Sequence, residues 1–406
     1  MNNEKNPETE ARKQKKREER SVAELQAKAS FKTSPVSMKL WAKGLPADTL
    51  FMVVVFALLS IGLVMVFSAS FVWGFYQNGG DSYFYIKKQL GFAAVGVAVM
   101  LLTSRINYNF LRFFAYIVYA ASIVLLVVAL VAGNGDVNRW IVVFGITIQP
   151  SEIAKLGTIM CLSLYMAVNY NKMKSFLHGF VIPLAIIGVP TLLTVIEPHL
   201  SGAILIAGVG LVLIFVGGTS LKFLLPAGGV AVVGGATGVM LLGNYMADRI
   251  KIWLDPFADP LGAGFQTIQG LYAIGSGGLF GLGLGKSRQK YLYIPEPQND
   301  FIFAIVCEEL GFVGAMIIIA LFVILIYRGY KIAMNAPDKF GFFLVVGIIT
   351  RVALQAALNI AVVTNTIPNT GISLPFFSYG GTSLLILLFE MGIVLSVSRY
   401  SRLNKN

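Results

Sequence analysis

The sequence predicts an all-α polytopic membrane protein of about ten transmembrane helices, with a long extracytoplasmic loop between helices seven and eight. Three observations carry this. Of 406 residues, 56% are apolar and only 13% are charged, a balance foreign to a water-soluble domain. The apolar residues fall in long runs such as Leu50 to Val72, which holds no charged side chain, and crossing a hydrocarbon core of about 30 Å takes roughly 20 such residues. Lipid offers backbone groups no partners, so each crossing is a helix or part of a closed barrel, and these runs are too long and too uniformly apolar for barrel strands.

In chain order the spans fall at 48–73, 84–104, 108–132, 151–169, 178–196, 200–218, 221–245, 300–327, 340–364 and 379–398. They define a membrane domain over 47–399, preceded by a polar tail over 1–46 and followed by a short tail over 400–406. The N-terminal tail carries eleven Lys or Arg against six Glu. It has few apolar residues and reads as disordered. The net charge of +12 therefore does not point to nucleic acid, because this tail holds the N-terminus in the cytoplasm or meets anionic lipid. No cleavable signal peptide is expected, since the first apolar run starts near residue 48 and has spanning length.

Alternate loops bear out the orientation. Arg105, Arg112, Lys172, Lys174, Lys222, Arg328, Lys331, Lys339, Arg399, Arg402 and Lys405 fall on the cytoplasmic side, whereas 74–83, 196–199 and 365–378 contain no Lys or Arg. Both termini are thus expected in the cytoplasm. Lys87 and Lys88 run mildly against the pattern. The segment 246–299 is the larger exception, but long loops cross largely regardless of charge. Its run from Ala273 to Lys286, AIGSGGLFGLGLGK, is too apolar for a solvated loop and too glycine-rich for a stable helix, so it should lie in or dip into the outer interface. No internal repeat is visible, which weighs against a transporter of two inverted halves.

Cys161 and Cys307 fall inside spans and share no ligand spacing with His178 and His199, so neither a Cys/His metal site nor a disulfide framework is expected. Ionisable groups near the membrane are costly and each is a functional candidate. Arg139 and Trp140 precede Gln149, Pro150, Ser151 and Glu152, with Lys155 one turn further. Ser151 and Glu152 read as an N-cap and a first-turn carboxylate. Glu152 and Lys155 stand three apart on one helix face, either as a structural ion pair or as a pocket wall. Glu197 and His199 bracket Pro198.

In IPEPQNDFIFAIVCEELGF, Ile294 to Phe312, two prolines keep the approach extended and Asp300 opens an apolar helix, where Asn299 or Asp300 would serve at least as a cap. Glu308 and Glu309 lie two turns deeper, about 80° and 180° around the wheel from Asp300, and Arg351 is a candidate partner for one of them. The connection NTIPNTGISLPFFSYGGTS, Asn365 to Ser383, should fold back as a re-entrant turn. Only Tyr379 in it titrates, so it reads as lining a site.

Four segments together resemble the SEDS family (shape, elongation, division and sporulation), and its FtsW branch and sporulation relatives more than RodA. They are RWIVVFGITIQPSEIAK from Arg139, FQTIQGLYAIGSGGLFGLGLGKSRQKYLYIPEPQNDFIFAIVCEELGF from Phe265, QAALNI from Gln355 and PNTGISLPFFSYGGTS from Pro368. The resemblance covers nearly everything after residue 48. It implies a peptidoglycan glycosyltransferase that polymerises lipid II at the outer face of the cytoplasmic membrane, acting with a class B penicillin-binding protein (a transpeptidase) and other division proteins. The family's catalytic aspartate matches Asp300. Two positions depart from the family: Pro198-His199 stands where many members have Pro-Asp, and Gln298-Asn299 where His-Thr is common.

In the implied reaction a sugar hydroxyl of one lipid II attacks the anomeric carbon of a glycan leaving from undecaprenyl diphosphate, with inversion. One displacement needs one base, Asp300, and charge stabilisation for the diphosphate. Lys155, Arg139, Arg249, Lys286, Arg288 and Lys290 are the cations for that task. Glu152, Gln266, Ser378 and Tyr379 complete the expected substrate-binding set. No protein-caged metal is expected, although a divalent cation such as Mg²⁺ or Mn²⁺ would share the work if held by Asp300 and phosphate oxygens. A lipid II flippase and a non-enzymatic scaffold for the transpeptidase are the competing classes. The first requires essential charges in the cytoplasmic half, and the second makes Asp300 dispensable.

Overall fold

The structure is a computed structural model that describes residues 46–132, 140–143, 146–224, 226 and 244–401. The expected N-terminal tail apart from residue 46, most of the span at 221–245, Arg139 and the last five residues lie outside the described residues.

Eight described helices are long and apolar enough to cross a membrane. In chain order the bundle begins with α1 (Thr49–Gln77), α2 (Phe84–Arg105), α3 (Leu111–Ala132), α4 (Pro150–Val168), α5 (Ile182–Ile196) and the shorter α6 (Leu200–Val216). A π-helical turn at Leu177–Val181 leads into α5. Two helices, α7 (Asn244–Leu254) and α8 (Phe265–Gly277), precede the final three, α9 (Ile302–Met334), α10 (Lys339–Val363) and α11 (Gly381–Tyr400). The β-structure among the described residues is one antiparallel hairpin, β1 (Ile141–Val143) with β2 (Ile146–Ile148), ahead of α4.

Packing follows from which helices the sequence leaves apolar all round. α4, α10 and α11 are buried over about two-thirds or more of their apolar windows and form the centre, whereas α3 is 22% buried and lies at the periphery with much of its surface free for lipid. α11 packs along α2, α4 along α3, and α10 between α9 and α4. At the end of the bundle away from Asp300, polar clasps close the helix ends. The Asp48 carboxylate caps α1 through Phe51 N at 3.0 Å and pairs with Arg328 at 2.7 Å. Asp338 caps α10 through Gly341 N at 2.9 Å, accepts from the Tyr108 hydroxyl at 2.5 Å and pairs with Arg112 at 2.9 Å.

Two local expectations are corrected. Ser151 is not the cap of α4: Gln149 takes the N-cap position and Pro150 the first helical one, where its missing N–H costs nothing. The glycine-rich run is not uniformly non-helical either, since α8 continues to Gly277 before the chain turns.

The segment beyond that turn breaks α9. Gly311 leaves the helix at φ 69°, ψ −171°, and the chain from Gly278 to Gly283 docks into the break. Leu282 N and Gly283 N donate to the carbonyls of Glu308 (2.9 Å) and Glu309 (3.0 Å), while Phe312 N and Val313 N donate to Gly278 O (2.9 Å) and Leu279 O (3.1 Å). Four of the backbone groups at the interruption thus find partners in the docked segment, as burial demands. A Cβ at Gly281 would stand 2.2 Å from the Glu309 carbonyl oxygen, so only glycine allows this approach.

Candidate active site

Asp300 stands one residue before the N-cap of α9, which is Phe301. It is half-buried, and its backbone is fixed from α10: the Asn359 amide donates to Asp300 O at 2.8 Å and to Ile372 O at 2.6 Å. The flanking residues are tied to the re-entrant connection. Tyr379 N donates to Gln298 O at 2.8 Å, and Ser378 Oγ donates to Asn299 O at 2.9 Å while accepting from Leu374 N at 2.7 Å. Gln355 holds the same connection through the Ser373 carbonyl at 3.0 Å, and Gln89 of α2 holds it through Gly380 N at 3.3 Å. The Asp300 carboxylate lies over Gly371, where an added Cβ would come within 3.1 Å of Oδ2. The structure thus brings Asp300, Ser378 and Tyr379 together, with Gln266 close behind: its amide donates to Pro295 O at 3.4 Å on the approach to Asp300.

Tyr379 packs edge-on against Tyr85, with ring centroids 4.9 Å apart. Burial, with a smaller contribution from Tyr85, pushes its phenol above the usual range, so it is neutral at physiological pH and available as a donor rather than a base. Arg249 of α7 donates to Asn369 O, and Trp253 Nε1 donates to Asn365 O at 3.1 Å, so α7 is laid across the same connection.

Beneath it lies a narrow cleft of only about 20 Å³, lined by Arg351, Gln355, Ser373, Ser378, Tyr379 and Ser383 among others. Its floor is a buried charge network. Glu152 accepts from Lys155 Nζ at 2.5 Å and from Arg351 at 2.6 Å, and Arg351 reaches on to Glu390 of α11. Four formal charges of balanced sign share this site, each neutralised by a neighbour, as burial of ions requires. Arg351 therefore pairs with Glu152 and Glu390, and not with Glu308 or Glu309, for which it was the candidate partner. Lys155, 3% exposed, is both an ion-pair partner and part of a closely packed, mostly apolar crevice against α6. His199 stands near the network, with its Nε2 3.4 Å from the Gln149 amide.

The remaining cations divide. Lys286 and Arg288 are exposed. Lys290, expected beside them as a phosphate ligand, folds inward instead: it is 3% exposed and bonds Glu309 at 3.0 Å and Ser68 Oγ at 3.1 Å. Glu390 and Gln89 were not singled out in the sequence, and Gln355 and Asn359 entered only as members of the QAALNI segment, without a role. Glu390 had a usable signal, a lone carboxylate within an apolar span; what the amides hold could not be read, because Asn and Gln in a helix announce no partner.

Among the described residues no three His, Cys, Asp or Glu side chains gather in a metal-binding group. The geometry is instead that of one half-buried carboxylate held rigidly at a helix start, beside neutral donors and above buried cations.

The chain matches a family profile described as cell cycle protein, FtsW/RodA/SpoVE, over residues 48–403. It is 45% identical over 359 residues to stage V sporulation protein E of Bacillus subtilis (strain 168), covering 87% of this chain and 98% of that protein. It is 40% identical over 355 residues to the probable peptidoglycan glycosyltransferase FtsW of Trichlorobacter lovleyi, covering 86% of this chain and 93% of that protein. Its fold superposes with TM-score 0.73 and 28% identity on a chain of a solved peptidoglycan synthase complex that coordinates polymerization and crosslinking, covering 88% of this chain and 98% of that one. On these matches the chain belongs to the FtsW/RodA/SpoVE family of cell cycle proteins.

Proposed function

We propose that this protein is a peptidoglycan glycosyltransferase that polymerises lipid II at the outer face of the cytoplasmic membrane, with Asp300 as the general base. The observation that carries the reading is the Asp300 carboxylate itself, held over Gly371 while Asn359 fixes its backbone. The relatives named as glycosyltransferases and the likeness to a chain of a peptidoglycan synthase complex support it.

In the proposed step Asp300 takes the proton from the sugar hydroxyl of an acceptor lipid II. The oxygen forms a bond to the anomeric carbon of the donor glycan, and the bond from that carbon to undecaprenyl diphosphate breaks with inversion. A base positioned in this way typically contributes about 10² to 10⁴ in rate. The neutral Tyr379 phenol would orient sugar hydroxyls, while Ser378, its proton given to Asn299 O, would hold the connection in place beneath them. A divalent cation, if recruited, would be held by Asp300 together with substrate phosphate oxygens, neutralising the leaving group. A class B penicillin-binding protein would cross-link the product. The Asp300 end would face outward and both termini inward, a polarity favoured by the Arg and Lys residues at the opposite end of the helices.

The test is polymerisation of purified lipid II by the purified protein, with and without its transpeptidase, comparing wild type with Asp300→Asn. Glycan from the wild type and a loss of about 10² or more in the variant are expected. An Asp300→Asn protein that polymerises at near wild-type rate would leave Asp300 a structural residue and remove the proposed base.

A further inference from the structure

One face of α2 is fitted to Tyr379. Tyr85, Gln89 and Phe92 stand four and three residues apart, the spacing that lines side chains up on a single helix face. Each meets the re-entrant connection at or beside Tyr379. The Tyr85 ring packs against the Tyr379 ring at 88°, with centroids 4.9 Å apart. One turn further along α2, the fully buried Gln89 amide brackets the same residue: Nε2 donates to Ser378 O at 3.4 Å, and Oε1 accepts from Gly380 N at 3.3 Å. The Phe92 ring lies against Gly381, where an added Cβ would come within 2.3 Å of it.

The approach to Asp300 holds Tyr379 from the other side. Tyr379 N donates to Gln298 O at 2.8 Å, two residues before the carboxylate. The ring, the N–H and a peptide group on either side are therefore committed. The hydroxyl is not: it makes no hydrogen bond among the described residues, although the ring is half-buried and lines the cleft beside Gln355 and Ser378. A phenol in such a place ordinarily gives its O–H to a partner within the protein. This one is held at every other point and keeps its O–H for a group that the fold itself does not supply.

We propose that Tyr85 and Gln89 are positioning residues for polymerisation, acting through Tyr379, whose hydroxyl they aim at the acceptor sugar that Asp300 deprotonates. This rests on the polymerase reading above. The ring pair sets the tilt of the Tyr379 side chain and the Gln89 amide sets its backbone, so the phenol oxygen stands in place before the sugar arrives. Its loss falls on kcat more than on KM, because orientation counts at the reacting centre whereas binding is spread over the whole lipid.

The experiment measures initial polymerisation rate against lipid II concentration for the full-length protein in detergent, with thermal unfolding alongside. Tyr379→Phe should lower kcat about tenfold and leave KM within about twofold. Tyr85→Leu and Gln89→Asn should each lower kcat about threefold to tenfold in the same way, and Tyr85→Phe, which keeps the ring pair, should recover most of the rate. In the Tyr379→Phe background, Tyr85→Leu should cost no more than about a further twofold, because the group it positions is gone. Losses that multiply instead would make Tyr85 a support of the fold alone and overturn the proposal. Wild-type kcat in Tyr379→Phe, which removes one oxygen from an otherwise unaltered ring, would overturn it as well. Should Tyr85→Leu melt early, Gln89→Asn carries the same comparison in the Tyr379→Phe background with the same two outcomes. An active wild type and an inert Asp300→Asn variant, together with either overturning result, sink this proposal alone. An Asp300→Asn variant as active as wild type sinks the polymerase reading, and the role of Tyr85 and Gln89 with it.

Discussion

The side-chain amide of Asn359 donates to the backbone carbonyl of Asp300 at 2.8 Å, and the same nitrogen reaches Ile372 O at 2.6 Å. One fully buried group thus sets the start of α9 against the connection that passes beneath the Asp300 carboxylate. Asn359→Ala leaves two carbonyls without this donor, each worth about 1 to 3 kcal/mol if nothing replaces it. We expect kcat for lipid II polymerisation to fall at least about tenfold with KM little changed. A variant with normal kcat would show that the Asp300 backbone needs no such tether.

Arg351 is the hinge of the buried network, and its loss should be felt in folding. Arg351→Met leaves the carboxylates of Glu152 and Glu390 facing each other without their shared cation, a change that typically costs about 3 to 5 kcal/mol. Adding Glu390→Gln should recover part of that loss. Thermal unfolding in detergent reads both. Lys155→Ala is expected to behave likewise, weakening the fold before it weakens substrate use. A Lys155→Ala protein with wild-type melting and impaired turnover would return Lys155 to substrate contact.

Glu309 and Lys290 form a buried pair that latches the 285–290 segment to α9. Glu309→Gln strands the Lys290 ammonium among groups that no longer balance it, so the single variant should lose stability. Glu309→Gln combined with Lys290→Met should regain much of it. Limited proteolysis within 284–291 provides the local readout, with cleavage expected first in the single variant. Equal resistance in both would deny the latch.

Thiol labelling reads the orientation. Leu261 is 89% exposed in the connection between α7 and α8, and Lys174 is exposed at the opposite end of the bundle, while the native Cys161 and Cys307 are buried. With an impermeant thiol reagent on intact cells, Leu261→Cys should react and Lys174→Cys should not. The reverse pattern would invert the topology and place Asp300 on the cytoplasmic side.

Local chemistry made the spans legible. A continuous run such as Leu50 to Val72 announces a helix without reference to any other segment, whereas the acidic opening of an apolar helix read only as a cap at Asp300 until the family resemblance made it the catalytic candidate. The departures arose where a residue's role depends on a distant partner. Arg351 was read as a candidate partner for a buried Glu308 or Glu309, yet its partners are 199 and 39 residues away, on α4 and α11. Lys290 reads as the equal of Lys286 and Arg288 until Glu309 and Ser68 draw it inward.

By itself, then, the sequence determined a helical membrane bundle, its family and the position of its foremost catalytic candidate, because hydropathy and motif are properties of contiguous residues. Only the tertiary structure decided which charges neutralise one another, that α9 breaks at Gly311 to receive the glycine-rich turn, and which cations are left to meet a substrate. The physical reason is the cost of burying an ion: each buried charge must find a partner, and the partner is chosen by which helices pack together, not by distance along the chain.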